Sequence, residues 1–491
     1  MYSMLYFRKG EGSLMEQILR TAPSGKNAYG KHGLCGGRGA CGKCRVRFLT
    51  DAPLPSFADR KIFSPEELRL GWRLACTAKP PADCEVEICF EPEEENKTEI
   101  VTWSEVGTPV MQQSEAVAGE EPSSQEKRTL FCAVDIGTTT VVMELVDSIT
   151  GDILSTCPFL NPQRAYGVDV MSRIANAENG GNLRLREVLL TEMEKGLREL
   201  EKAGKPEKII VSGNTTMGHL LLGYPVEGLG KAPFKPFSLD FAHFDLIGHP
   251  VVFLPGISAF VGADIVSGIY ACGMTEEIGE TEKKEVSLFI DLGTNGEIAV
   301  GNQEKIWCTA TAAGSAFEGD ITAQAMGTDI VALAYDMLQT GIMDESGLLA
   351  ESWFTDGCPI KTEKGDTVLI RQQDIRSLQM AKAAICAGVS ILLDKAEAWE
   401  RISHVYLAGG FGYYLDVEKA VGIGLIPKVL RDKCVAVGNT SLAGAVRYGK
   451  ACADNEAEKL RHIVQISEAI NLAQQPEFEQ RYIEAMAFRE M

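Results

Sequence analysis

No stretch of this 491-residue chain runs long enough without charge to cross a bilayer, and the opening MYSMLYFRKGEGS lacks the basic stretch and long apolar core of a secretory signal. The expectation is a cytoplasmic chain with no membrane partner. Basic residues are in deficit: 48 Lys and Arg stand against 68 Asp and Glu, giving a formal charge of −20. No Lys/Arg stripe interleaved with aromatics offsets that field, which repels nucleic acid and anionic lipid. A well-hydrated surface is its simplest meaning. Histidine is scarce, and each of His32, His219, His243, His249, His404 and His462 reads as a surface or core residue. Cysteine is plentiful, at fourteen, but most are scattered through apolar segments, as Cys132 and Cys386 are. That usage fits a reducing compartment better than a disulfide framework. The length calls for more than one domain, and 45% apolar content is ample for sizeable cores.

Four cysteines are not scattered. Cys35, Cys41 and Cys44 sit in CGGRGACGKC, and Cys76 follows in WRLACTAKP. Three thiolates on one Gly-rich loop can wrap an iron–sulfur rhomb, because Gly36, Gly37, Gly39 and Gly42 let backbone amides approach the sulfides, and a fourth thiolate closes the cage. The first gap has five residues where the plant-type spacing has four, so the match is to the wider [2Fe–2S] class. A zinc knuckle is the poorer alternative, since zinc sites favour paired C-x2-C units and only Cys41 and Cys44 form one. Inert core thiols are the other.

Residues 1–90 read as a small mixed domain. It has a strand near Tyr2 to Phe7, a helix in SLMEQILRTA, a strand in CRVRFL, and a short helix in SPEELRLG with Ser64 as cap, Pro65 in the first turn and Glu67 reaching back. That helix should deliver Cys76 on the following strand, and the alternating CEVEICFEP completes the sheet. A β-grasp ferredoxin accommodates this α+β composition. Residues 91–128 are acidic and aperiodic, which predicts a flexible linker that lets the first domain swing between partners.

An internal echo follows. TLFCAVDIGTTTVVMELV and VSLFIDLGTNGEIAVGN share one plan of apolar strand, Asp, Gly, Thr and second strand, and KIIVSGNTTMGHLL and HVYLAGGFGYYLDVEKA each give strand, Gly turn and helix. The echo predicts a duplicated α/β domain over 129–491, with halves at about 129–284 and 285–491 and a cleft between them. In each hairpin Gly137 or Gly293 permits positive φ or the close approach that cradles phosphate, while Thr138, Thr139 and Thr294, with Asn295 of the same turn, add donors. The carboxylates of Asp135 and Asp291 would repel phosphate, so their sensible task is to hold Mg²⁺ through its waters.

These two hairpins and the downstream LAGGFG resemble the ASKHA superfamily of acetate and sugar kinases, chaperone ATPases and actin. The resemblance implies that Gly409 and Gly410 pack near adenosine. Sugar kinases of that fold place a catalytic Asp in a GxD turn opening a helix, which implies Asp264 of AFVGADIVSG as the base for attacking water, with a helix-capping role as the plain alternative. By the same analogy Lys382 can reach nucleotide from an otherwise ordinary core helix.

With its ferredoxin domain the chain resembles the reductive activators of corrinoid-dependent enzymes. CGGRGACGKC, GWRLAC, VDIGTTT, SGNTTM, FVGADI, DLGTNGEI, AGSAFEG, DIRSLQMAKAAICAG, LAGGFGYYLD, IGLIP and VGNTSLAGA stand in the family's order. The resemblance implies a [2Fe–2S] cluster, ATP and Mg²⁺ as cofactors. It also implies a corrinoid protein of a methyltransferase system as partner, an upstream electron donor, and room for a homodimer. Its activity would be ATP-driven passage of one electron to Co(II), regenerating Co(I). No DxHxxG-type corrinoid motif surrounds any histidine, as expected if the cobalt belongs to the partner. Two departures stand out: the stretch after GSAFEG is shortened, and the linker joins the first hairpin directly, leaving no room for the middle domain of larger relatives. Rival readings are an ATP-coupled donor to another low-potential enzyme, a nucleotide-dependent interaction module with a structural cluster, and a small-molecule kinase. The segment from about Asn455 onward should pack as helices on the second half.

Overall fold

The computed structural model describes residues 2–7, 14–21, 42, 44–80, 82–89, 129–276, 285–293, 295–311, 327–361, 367–450 and 453–491. The predicted linker and residues 312–326, which include the whole GSAFEG stretch, lie outside that set.

Near the N-terminus β1 (Tyr2–Phe7), β2 (Arg45–Phe48), β3 (Trp72–Leu74) and β4 (Cys84–Cys89) form an antiparallel sheet in the order β1-β4-β2-β3. The period-two pattern is what buries it: Val46, Phe48, Val86 and Ile88 turn inward onto Leu14 and Ile18 of the helix Leu14–Thr21. Helix Pro65–Arg69 begins at Ser64, whose hydroxyl accepts from Glu67 N while the Glu67 carboxylate accepts from Ser64 N. Cys76 sits in the turn just after β3 rather than on a strand, because the pairing of β2 with β3 ends at Leu74.

The echo in the sequence becomes two sheets of one topology. The first contains β5 (Leu130–Ile136), β6 (Thr140–Asp147), β7 (Ile153–Leu160), β8 (Lys208–Gly213), β9 (Ala242–Leu246) and β10 (His249–Phe253), in the order β7-β6-β5-β8-β10-β9. The second contains β11 (Val286–Leu292), β12 (Gly296–Gly301) and β13 (Ile306–Thr311). After a separate hairpin of β14 (Cys358–Lys361) and β15 (Thr367–Ile370), it is completed by β16 (Ile402–Ala408), β17 (Cys434–Gly438) and β18 (Ser467–Ala469), in the order β17-β16-β11-β12-β13-β18. With the edge strands β9 and β18 left out of the count, both halves read 3-2-1-4-5. The central strands β5 and β11 are nearly continuous apolar runs, interrupted in β11 by Ser287, as suits strands covered on both faces, and in each the one acidic residue stands at the sixth position.

The halves meet where helices Ala263–Ala271 and Thr440–Lys450 cross. Gly444 makes the crossing tight: a Cβ there would lie 2.4 Å from the Ser267 carbonyl oxygen. The C-terminal segment divides between the halves instead of packing on the second alone. Helix Ala453–Ile466 buries Ala457, Leu460 and Ile463 in the cluster that holds the first half's core, and Tyr270 of the first half donates to Glu456. Only then does the chain return, through β18 and helix Phe478–Glu484, to the second half. Helix Gln372–Lys395 is long and apolar enough by composition to span a membrane, but Ile375, Leu378, Ile385, Val389 and Leu392 are fully interior to the second half's core.

Candidate functional site

The C-terminal ends of β5 and β11 bring acidic side chains from both halves to one place, where ligands of α/β sheets bind. Asp135 belongs to β5 and Asp291 to β11. Asp264 belongs to the first turn of Ala263–Ala271. Glu297, which sequence reasoning missed, is on β12 directly opposite Asp291. In the first half the residue opposite Asp135 is Val142, so the echoed hairpins differ by one carboxylate. The tight turn of DLGTNGE was the available signal, since a short antiparallel hairpin places cross-strand partners on one face.

All four carboxyl groups titrate high. Burial pushes Asp291 up to about 7, with the charges of Asp264 and Asp135 adding to it. Burial likewise raises Asp264 to about 7, against the Ile265 N–H bond that lowers it, while Asp135 adds repulsion. Glu297 is raised well above its ordinary range by burial, then by Asp264 and Asp291. Asp135 is raised by burial and held back by two hydrogen bonds. Asp264 does not cap its helix. The cap position is Gly262, and Asp264 Oδ1 accepts from Ile265 N at 2.9 Å.

The bonds to Asp135 come from the other half. Asn439 Nδ2 donates at 2.9 Å and Ser441 Oγ at 2.6 Å, both from the start of helix Thr440–Lys450. Ser441 Oγ lies 3.0 Å from Ser212 Oγ, which lies 2.9 Å from Ser267 Oγ. A hydroxyl has one hydrogen, and Ser441 gives its own to the carboxylate, so the chain of donation runs Ser267 to Ser212 to Ser441 to Asp135. Buried serines thus tie the first Asp–Gly–Thr hairpin to the crossing helices.

The first hairpin turn is fixed from behind. Gly137 N donates to Thr140 O, Asn161 Nδ2 donates to Gly137 O at 2.8 Å, and the fully buried Arg173 donates to Thr138 O. Asn214 caps helix Thr215–Leu222 with its carbonyl oxygen and donates from Nδ2 to Thr138 Oγ1 at 3.1 Å, so that the Thr138 hydroxyl acts as acceptor there and donates to no group among the described residues. Thr139 stands in the same turn. The expected positive φ is found at neither Gly137 nor Gly293. Gly137 is instead a close approach, with a Cβ position 2.9 Å from Thr140 O, whereas at Gly293 the nearest atom is Asn295 O at an ordinary 3.8 Å. Asn295 directs its side chain to Glu297. Thr294 lies outside the described residues.

Gly409 and Gly410 part company. Gly409 has φ +80°, and a Cβ there would lie 2.5 Å from Asp291 Oδ1 and 2.8 Å from Leu292 O. Gly410 faces open space. Lys382 does not reach this site. It is fully buried, donating from Nζ to Ala485 O at 2.6 Å and Ala487 O at 2.7 Å, with its ammonium 4.9 Å from the centre of the Phe488 ring. Its ammonium is taken up by these carbonyls, so it fastens the C-terminal segment.

At the N-terminal domain β2 and β3 bring two of the four predicted cluster ligands together. Cys44 immediately precedes β2, Cys76 follows β3, and Ala75 N donates to Cys44 O at 2.8 Å. Their sulfurs stand 3.3 Å apart, too far for a disulfide and close enough to share one metal centre. Cys44 is buried and Cys76 half-exposed, a donor pair that fits thiolate ligation of a cluster. Cys35 and Cys41 lie outside the described residues.

Comparison with known proteins adds to this geometry. Residues 130–277 match a family described as the RACo middle region, and residues 285–326 and 323–491 match the C-terminal domain of RACo, the ASKHA domain. The middle region, expected to be missing, is therefore present: it is the first of the two halves. A corrinoid activation enzyme, RamQ, of Eubacterium limosum is 29% identical over 430 residues, covering 74% of this chain and 71% of that protein. The [Co(II) methylated amine-specific corrinoid protein] reductase of Methanosarcina barkeri is 23% identical over 376 residues, 63% of this chain and 68% of its own. A solved structure described as a reductive activator for corrinoid, iron–sulfur protein superposes with a TM-score of 0.65 at 24% identity, covering 98% of this chain and 96% of that one.

Proposed function

The chain belongs to the RACo family, and on that premise we propose that it is an ATP-driven reductive activator that returns a partner's corrinoid from Co(II) to Co(I). The observation that carries this reading is the presence on one chain of the converging Cys44 and Cys76 sulfurs and of two Asp–Gly–Thr hairpins whose carboxylates meet. Cys35, Cys41, Cys44 and Cys76 would hold a [2Fe–2S] cluster, which would supply the single electron when bound.

Nucleotide lies between the hairpins. Turn amides and the Thr138 and Thr139 hydroxyls receive phosphate oxygens, with Thr294 and Asn295 doing so from the second half. The open side of Gly410 would leave room for adenosine. Asp135 and Asp291 would hold Mg²⁺ through its waters, and the cation's charge would offset the burial that raises both carboxyl groups and the repulsion that adds to it at Asp291. Asp264, which burial draws up to about 7, is the group that takes a proton from attacking water near neutral pH in this reading.

ATP is needed because the electron must go uphill. Each 59 mV costs about 1.4 kcal/mol for one electron, so a gap of roughly 0.2 V costs about 5 kcal/mol. A nucleotide can shift that equilibrium only through differential affinity, here about 10³ to 10⁴-fold between the states of the chain that grip the corrinoid protein. The Asn439 and Ser441 bonds to Asp135 join the two halves at the phosphate hairpin, so a ligand that engages Asp135 acts on the inter-half contact directly. The test is anaerobic Co(I) formation on a co-encoded corrinoid protein with and without ATP, beside a Cys41→Ser control. Equal reduction without ATP removes the basis of the proposal.

A further inference from the structure

We infer that the face built by Leu54, Phe57, Arg60 and Lys61 on the N-terminal domain is the docking surface for a small acidic redox protein that delivers electrons to the thiol site. This rests on the reading of Cys44 and Cys76 as part of an electron-carrying centre.

Charge along the chain is unevenly divided. Residues 1–90 carry 14 Lys and Arg against 9 Asp and Glu, whereas residues 91–491 carry 34 against 59. Between Lys31 and Thr50 five cations occur and no acid. An acidic partner is therefore repelled by most of the molecule and drawn to the domain that holds the cysteines.

That domain also exposes apolar side chains on a rigid support. Leu54 is 92% exposed and Phe57 76%, the two most exposed large hydrophobics among the described residues. They do not hang on a loose loop. Leu54 stands between Pro53 and Pro55, and the buried Arg73 donates from Nε to Pro53 O at 2.8 Å. Ser56 caps helix Phe57–Ile62 in a reciprocal bond with Asp59, which also accepts from Leu74 N. Ser56 Oγ lies 3.2 Å from Thr77 Oγ1, beside Cys76, and Ile62 packs where a Cβ on Gly42 would stand, beside the Cys44 loop. A pre-ordered apolar tip loses little freedom on binding. Arg60 and Lys61 are exposed and make no ion pair among the described residues; Lys61 lies 4.6 Å over the Phe57 ring. An apolar centre with a cationic rim is the anatomy of a protein interface.

The electron donor fits this surface better than the corrinoid protein does. The acceptor has to be gripped by the acidic nucleotide-binding halves, which an acidic protein would avoid, whereas a donor needs only the cysteine domain.

The experiment uses the full chain with its cluster and a reduced, acidic flavodoxin as probe. Stopped-flow bleaching gives the second-order rate at low and high ionic strength, and calorimetry gives the affinity of oxidised flavodoxin. The Arg60→Glu/Lys61→Glu variant should lose roughly 10-fold in rate at low salt and most of the salt dependence. Leu54→Ser/Phe57→Ser should slow reduction at both salts, with affinity falling in parallel. Reduction by photoexcited deazaflavin, an uncharged small donor, should be unchanged in both variants. Unchanged flavodoxin rates and affinities, or a wild-type rate that rises with salt, would overturn the proposal. So would a variant that slows Co(I) formation under deazaflavin reduction while flavodoxin kinetics stay normal, because the surface would then belong to the acceptor. Failure of ATP to support Co(I) formation in the wild type, with normal flavodoxin docking, would sink the activator reading and leave this one standing.

Discussion

Two adjacent glycines of LAGGFG should respond to the same substitution in opposite ways. At Gly409 the backbone has φ +80°, and alanine there meets Asp291 Oδ1 at 2.5 Å and the Leu292 carbonyl at 2.8 Å. The left-handed conformation costs about 1–2 kcal/mol for a residue with a Cβ. Moving a backbone carbonyl in a packed site adds about 1–3 kcal/mol. The sum of about 2–5 kcal/mol, at roughly 2–4 °C per kcal/mol for a unit of this size, predicts that Gly409→Ala lowers the melting temperature by at least about 4 °C without nucleotide. Because the carboxylate it displaces is Asp291, Mg·ATP affinity should fall with it. At Gly410 a Cβ meets nothing within 4 Å, so Gly410→Ala should leave the nucleotide-free melting temperature unchanged and weaken ATP only if adenosine fills that space. Scanning fluorimetry and ATP calorimetry on both variants decide the matter, with iron–sulfur absorbance as a check on the distant domain. If Gly409→Ala melts normally and binds Mg·ATP normally, the argued contact of Gly409 with Asp291 is refuted. If Gly410→Ala binds ATP as the parent does, adenosine lies elsewhere.

Lys382→Met strands the Ala485 and Ala487 carbonyls at about 1–3 kcal/mol each, partly offset by no longer burying a charge. It should lower the melting temperature and leave ATP affinity unaltered; lost ATP affinity with normal melting would restore a nucleotide role. The raised carboxyl groups set a pH dependence. Asp264 and Asp291 titrate near 7 in the fold and near 4 unfolded, so the folded state binds the extra protons between those values, and their penalty is absent below about 4, grows as pH rises toward 7 and is constant above. Mg·nucleotide should therefore raise the melting temperature more at pH 8 than at pH 6, and its binding near pH 7 should release protons, visible as buffer-dependent calorimetric heats. Equal stabilisation and no proton release would show that these groups are not what the cation relieves.

Much of the architecture was legible because its signals are local. The central strands could be read from apolar runs broken by one Asp, and the Ser64 cap from S-P-E-E, since each depends on neighbours within a few positions. The duplication was legible because both halves repeat strand, turn and strand at matching places. What could not be read had long-range causes. Helix Ala453–Ile466 packs on the first half because Tyr270, nearly two hundred residues upstream, binds Glu456. Lys382 looked available to nucleotide in a helix of ordinary period, but the C-terminal carbonyls that claim it lie over a hundred residues away. Glu297 was legible in principle, and only the tightness of the DLGTNGE hairpin, set by its register, makes it Asp291's neighbour.

The sequence by itself determined the chemistry on offer: four thiols at cluster spacing, two Asp–Gly–Thr turns and an acidic surface, because side-chain type and spacing along the chain need no folding to be seen. The tertiary structure alone decided which of those groups meet. Cys44 finds Cys76 through the pairing of β2 with β3, and Asp135 is held by Asn439 and Ser441 from three hundred residues away. Such contacts close long loops whose entropy cost is met by the burial of whole helices and sheets, so no local stretch of sequence can specify them.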